Sequence, residues 1–171
     1  MILRETPLPG AVVIEQQRLG DERGFFARTY DAEVFAAAGL DPRVAQMNTS
    51  FNAAAGTLRG MHFQREPHGE AKTVRVTRGA IFDVAVDLRT RAWHGVELSA
   101  ENGLAFHIPA GMAHGFQTLT DDVEVLYLMS TPYVGEAGTG LRWDDPAVGI
   151  AWPDAPGERT ISARDRDWPL L

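Results

Sequence analysis

The side chains that could move protons in this sequence are few. Of five histidines, His62 lies in the run Arg59-Gly60-Met61-His62-Phe63-Gln64 and His114 in Gly111-Met112-Ala113-His114-Gly115. An imidazole with an unperturbed pKa of roughly 6.5 suits proton abstraction near neutral pH, above all when a carboxylate fixes its tautomer. A strand histidine taken alone is more often a hydrogen-bonded core residue, so residue type does not decide its role. Lys72 is the only lysine among 16 basic residues, the rest being arginine. Lysine is a compact point charge with a tunable pKa, and arginine is a permanently charged planar fork. Lys72 is therefore either a chance survivor on the surface or a cation doing what arginine cannot. There is no cysteine, which removes thiolate catalysis, disulfides and Cys-ligated metal. A metal site needs about three convergent ligands. Gln64 stands two positions after His62, so His62 and His114 fall short, and no metal is expected.

The elements that must position these groups are short strands separated by turns. Val12 to Ile14 opens a strand, Gly20 to Gly24 reads as a turn, and Phe25 to Tyr30 is β-prone. Asp31 can cap a helix over Ala32 to Ala38 that stops at Gly39, the one clear helix. From Arg43 onward strands follow closely, Lys72 to Val76 joining Ala80 to Leu88 through a turn at Gly79. In that second strand period two puts Phe82, Val84, Val86 and Leu88 on one face and Asp83 and Asp87 on the other. Asp83 is then either a buried partner inside a barrel or a solvated surface group. Val96 to Ser99, Leu104 to Ile108, Gly115 to Leu119 and Val123 to Met129 supply further strands. Such spacing predicts an all-β antiparallel sandwich or barrel. Trp143, Trp152 and Trp168 in the C-terminal stretch are costly to leave in water, so this tail is expected to pack back on the body.

With 171 residues, 44% hydrophobic, the chain fits a single domain spanning 1–171. A net charge of -7 and no basic tract disfavour nucleic acid and anionic lipid, so a phosphate-bearing ligand would need locally placed arginines. No apolar run approaches the roughly 20 residues of a membrane span, and Met1 to Glu5 lacks a signal pattern. A soluble, cytoplasmic protein is expected.

Gly103, Pro109, Gly111 and His114 have the spacing of the second cupin element, a small β-barrel with a ligand pocket in its mouth. Longer runs make a more specific match. Asp21 to Phe26, Gln46 to Ser50, Gly56 to Gln64, Lys72 with Val74 to Val76, Phe82 to Asp87, Leu98 to Asn102, Ile108 to Phe116, Leu126-Tyr127, Leu141 to Pro146 and Ser162 to Leu171 resemble, in order, the dTDP-4-dehydrorhamnose 3,5-epimerase family. The resemblance implies a cupin-type jelly-roll β-barrel with a few short helices. It also implies cofactor-free epimerisation at C3 and C5 of a nucleotide-linked 4-keto-6-deoxyhexose. His62 would be the base, Asp165 its carboxylate partner, Tyr127 the proton donor, and Lys72 the support for the enolate oxygen. Arg23, Phe26, Arg28, Gln46, Asn48, Arg59, His114, Tyr133 and Arg164 would hold the nucleotide sugar. A homodimer is implied, with exchanged N-terminal strands through which Arg23 to Arg28 complete the neighbour's pocket.

Three positions depart from the family pattern. Arg28 stands where a glutamate usually contacts the nucleotide; a guanidinium only donates hydrogen bonds, so recognition of the thymine N3–H through that position is lost. The nucleotide would then differ, CDP for example, or its base would be held otherwise. Gly135 and Gly138 stand where Pro and Glu are frequent, and Leu128 where a lysine often follows the tyrosine. Plain alternation also puts Arg59 and His62 on opposite faces, so either Gly60 marks a bulge or the two do not share a pocket. Three alternatives stay open: an epimerase acting at one carbon or on another nucleotide, a non-catalytic nucleotide-sugar-binding cupin, and a metal dioxygenase.

Overall fold

The computed structural model covers residues 1–171. The elements in chain order are β1 (Ile2–Glu5), β2 (Val12–Glu15), β3 (Arg18–Asp21), β4 (Gly24–Ala27), α1 (Ala32–Ala37), β5 (Gln46–Asn52), β6 (Thr57–Gln64) and β7 (Lys72–Arg78). They continue with β8 (Ala80–Asp87), β9 (Trp93–Ser99), β10 (Leu104–Ile108), β11 (Met112–Thr118), β12 (Val123–Met129), β13 (Gly138–Gly140), β14 (Thr160–Ile161) and α2 (Ala163–Arg166). Two sheets, ordered β1-β2-β10-β7-β12-β5 and β13-β6-β11-β8-β9, form a cupin-type jelly roll, and β3 and β4 make a separate two-stranded ribbon. Every pairing is antiparallel except β14 with β6. No helix is long and apolar enough to cross a membrane.

Alternation decides which side chains meet between the sheets. Val74 and Val76 from β7, Val123 and Val125 from β12, and Phe106 and Ile108 from β10 join Ile81 and Ala85 of β8 and Phe116 of β11 in one buried cluster. Val84 and Val86, of the opposite parity on β8, build a second cluster on the outer face of that sheet with Leu141 and Val148, and Trp152 packs against it. The C-terminal tail therefore covers a hydrophobic face, as its tryptophans require. The Trp152 indole N–H donates to the Trp143 carbonyl at 2.9 Å.

Helix α1 has the expected cap, the Asp31 side chain accepting from the N–H groups of Glu33 and Val34. Its one buried residue, Phe35, meets the ring of His107 edge-on, with centroids 5.5 Å apart. His107 is 2% exposed, and its Nδ1 shares a 2.9 Å hydrogen bond with the Thr73 hydroxyl. Burial pulls its pKa down to about 4 from 6.5, with Asp41 opposing weakly. The unfolded chain takes up this proton near 6.5 and the folded chain only near 4, so the stabilisation is complete above 6.5 and is lost as pH falls between them. The loss is on the order of 3 kcal/mol at pH 4. In urea titrations at pH 7 and pH 4, a His107→Gln variant is expected to lack this share of the wild-type decline in midpoint. An equal decline in both proteins would refute the assignment.

Candidate active site

One cavity of about 360 Å³ opens between the two sheets, and both line it. On the first sheet the register puts Gln46 opposite Met129, Asn48 opposite Tyr127 and Ser50 opposite Val125, while Met129 pairs on its other side with Lys72. These residues share one parity, so one inner face carries the Gln46, Asn48, Tyr127 and Lys72 side chains together. Leu128 has the opposite parity and faces a different hollow with Leu126, Met47 and Val44.

The second sheet brings His62, Arg59 and His114. His62 pairs with His114 and Arg59 with Phe116, so three steps on β6 span two on β11. That extra residue is the bulge posed by alternation, and it turns Arg59 and His62 into the same cavity. Glycine is required on both sides of it. Gly60 has φ +151, and a Cβ there would lie 2.7 Å from the Gly115 Cα. A Cβ on Gly115 would lie 2.8 Å from the Arg59 carbonyl oxygen and 2.5 Å from the Met61 sulfur.

Asp165 arrives from the far end of the chain. Thr160 and Ile161 add a short parallel strand to β6, Ser162 caps α2, and the first turn of that helix places the carboxylate under the histidine. This four-residue helix adds to the one expected. Asp165 Oδ1 lies 2.7 Å from His62 Nε2, Oδ2 accepts from the Gly60 N–H at 3.3 Å, and the Trp168 indole donates to Oδ1 at 3.2 Å. Burial pushes this carboxyl up, but the hydrogen bond and charge of His62, with the Gly60 and Trp168 donors, outweigh it and hold it below the usual range. An ionised carboxylate only accepts, so Nε2 donates and the lone pair of His62 sits on Nδ1.

A second histidine-carboxylate pair lies deeper. His114 Nε2 is 2.7 Å from Asp83 Oδ1, and Asp83 is fully buried with Oδ2 unpartnered. This settles Asp83 as an interior partner rather than a solvated residue. Burial pushes its pKa up against the pull of His114 and Lys72. The pairs differ in access: the His62 side chain is 42% exposed and that of His114 6%. His62 is the one open to a ligand.

The Tyr127 hydroxyl shares a 3.0 Å hydrogen bond with the Ser50 hydroxyl. Burial raises its pKa, assisted by Asp83 and opposed by the Ser50 hydrogen bond and Arg59, so the phenol keeps its proton at neutral pH. Lys72 is buried beside Glu70, its Nζ 3.0 Å from Oε1. Arg59 Nε donates to Asn52 at 2.7 Å. Tyr133 and Arg164 stand on the rim, the Tyr133 N–H donating to Gln46. A Cβ on Gly138 would lie 3.0 Å from the Tyr133 hydroxyl, so a larger side chain there would contest the space this ring holds.

The expected site residues gather in this cavity with four exceptions, of which Asp165 stands behind the wall as the partner of His62. Arg23, Phe26 and Arg28 do not line it, because the β3–β4 ribbon belongs to neither large sheet. Arg23 pairs with Asp21, Arg28 pairs with the helix-capping Asp31, and Phe26 is 69% exposed. Sequence reasoning missed Glu70 and Ser50 as members of the site. Glu70 precedes Lys72 by two positions, the spacing at which strand neighbours share a face, and that was the available signal. No group of three or more His, Asp or Glu side chains is placed to hold a metal ion.

Such an arrangement can transfer protons: an accessible histidine with its carboxylate on one wall of the cavity, and a protonated phenol and a lysine on the other. A family model described as dTDP-4-dehydrorhamnose 3,5-epimerase matches residues 5–171. A dTDP-4-dehydrorhamnose 3,5-epimerase from Methanothermobacter thermautotrophicus is 47% identical, over 98% of this chain and 92% of its own. The crystal structure of the Bacillus anthracis dTDP-4-dehydrorhamnose 3,5-epimerase with TDP and PPi bound is 38% identical, with a TM-score of 0.93 over 99% of each chain. That of a 3'-monoepimerase from Streptomyces bikiniensis in complex with dTDP-quinovose is 35% identical, with a TM-score of 0.90 over 98% of this chain and 86% of the other. On residues, register and full-length similarity together, the chain belongs to the dTDP-4-dehydrorhamnose 3,5-epimerase family.

Proposed function

We propose that this protein converts dTDP-4-dehydro-6-deoxy-D-glucose to dTDP-4-dehydro-L-rhamnose by inverting C3 and C5. The observation that carries the reading is the convergence of the His62–Asp165 pair with Tyr127 and Lys72 from opposite walls of one cavity. His62 Nδ1 takes the proton from a carbon beside the C4 ketone. The C–H electron pair moves into the ring and the carbonyl pair onto the C4 oxygen. The Lys72 ammonium supports the enolate, and Asp165 supports the imidazolium. Collapse of the enolate draws a proton from the Tyr127 hydroxyl onto the other face of the same carbon, which inverts it. Arg59 and Arg164 supply the local positive charge that a diphosphate needs on an acidic protein.

We read the functional unit as a homodimer, with the β3–β4 ribbon seated against the partner. The exposure of Leu19, Phe25 and Phe26 supports this, since apolar residues exposed together on one ribbon favour burial. In that arrangement Arg23, Phe26 and Arg28 reach the neighbour's pocket, and Arg28 acts there as a donor where the family pattern has an acceptor. A cytoplasmic location fits the cysteine-free composition.

Incubation of dTDP-4-keto-6-deoxyglucose with the protein in deuterium oxide, followed by NMR and mass analysis, is expected to place deuterium at both C3 and C5. Incorporation at C3 alone would overturn the double inversion in favour of single epimerisation, a reading supported by the similarity to a 3'-monoepimerase. No exchange from the dTDP sugar alongside exchange from its CDP counterpart would reassign the nucleotide.

A further inference from the structure

Lys72 carries the only side-chain ammonium in the protein, and the fold buries it. Its side chain is 9% exposed, and Nζ has two neighbours: the Glu70 carboxylate at 3.0 Å and the His62 carbonyl at 3.3 Å. Glu70 is equally buried, and its other oxygen accepts from the Gln64 amide at 2.9 Å. That amide is fixed in orientation. Its nitrogen also donates to the carbonyls of His68 and Pro132, and its oxygen accepts from the Val134 N–H at 2.6 Å. One carboxylate thus ties the ammonium in the cavity to the strand of His62 and to the rim on either side of Tyr133.

We propose that Glu70 is a positioning residue for Lys72, holding its ammonium in place to meet the substrate oxygen. The catalytic half of this inference rests on the epimerase reading, and the pairing does not. A buried ammonium needs a close counter-charge, because burial favours its neutral form. The other titratable or charged groups around the cavity are His62 on β6 with Asp165 behind it, Arg59 on β6, Asp83 on β8 held by His114 of β11, Tyr127 on β12, and Tyr133 and Arg164 on the rim. None of these makes an ion pair with Lys72, and Asp83 feels its charge at a distance. Glutamine cannot replace Glu70 without a loss. With its oxygen towards Lys72, its amino group faces the Gln64 amino group; turned over, it points two donors at each other across the Lys72 contact.

A sole lysine allows a direct test. In protein labelled with 13C-lysine the side-chain Cε correlation is a single signal that reports the surroundings of the Lys72 ammonium without substrate. In Glu70→Gln at neutral pH this signal is expected to move from its wild-type position, because the carboxylate beside Nζ is gone. The kcat is expected to fall about tenfold, less than the roughly hundredfold or more that losing an oxyanion donor outright costs. KM should be nearly unchanged. Glu70→Asp, which keeps the charge, is expected to return the signal towards its wild-type position and to recover kcat, and Glu70→Ala serves if the glutamine variant does not fold. A lysine signal unmoved in a variant with wild-type melting would overturn the proposal. So would an activity loss that follows thermal stability and that Glu70→Asp does not relieve. A displaced signal in a protein that does not epimerise would overturn the catalytic half alone and leave the pairing standing.

Discussion

In a His62→Ala variant, solvent deuterium incorporation next to the C4 ketone is expected to fall by about 10²–10⁴-fold, the range over which a positioned base accelerates proton transfer. KM should change far less, since Arg59, Asn48, Gln46 and Arg164 remain in the cavity. The protein holds two histidine-carboxylate pairs of equal length, which differ in access and in the state of the carboxylate. Asp165 is held ionised by His62, Gly60 and Trp168, whereas burial pushes Asp83 towards its neutral form. An ionised partner is what stabilises an imidazolium, which is why the proposed base is His62 and not His114. Asp165→Asn is expected to be impaired as well, by about 10²-fold, because an amide neither stabilises the cation nor fixes the tautomer. If exchange survived His62→Ala and vanished in His114→Ala, the roles of the two pairs would have to be exchanged.

How far the sequence spoke for the structure depended on whether function and burial asked for the same pattern. In β8 they agreed: Val84, Val86, Ile81 and Ala85 alternate as a strand between two apolar layers must, and the element was read to within one residue. In β5 they conflicted. Gln46, Asn48 and Ser50 are polar because they face a cavity, so the strand lacks the apolar inner row by which strands are recognised. In β11 the expected start at Gly115 came three residues late. Pairing of Met112 to His114 with Asp87 to Ala85 extends the strand through residues of modest β propensity. The bulge was legible only as a contradiction between Arg59 and His62, resolved by the near contact of Gly60 with Gly115, a long-range fact. Asp165 shows the same limit. Nothing local links it to His62, and the family resemblance alone brought the two together before β14 and α2 gave the path. Glu70 was missed because a lone carboxylate beside a lysine reads as surface charge until burial is known.

Tyr127→Phe is expected to separate two events that the wild type performs together. Removing the phenolic oxygen takes away the proton source on the first sheet while leaving His62, Asp165 and Lys72 in place. The base can still form the enolate, and in deuterium oxide it can return a deuteron to the face it took the proton from. Deuterium should therefore continue to enter with retention, while the inverted product falls by about 10²–10⁴-fold. The tyrosine suits this role because burial holds its proton on throughout the neutral range. Loss of exchange and inversion in parallel, in a variant with an unchanged melt, would mean that Tyr127 acts in forming the enolate rather than in quenching it. Unchanged inversion would remove Tyr127 from the reaction and leave it as a core aromatic whose hydroxyl is satisfied by Ser50.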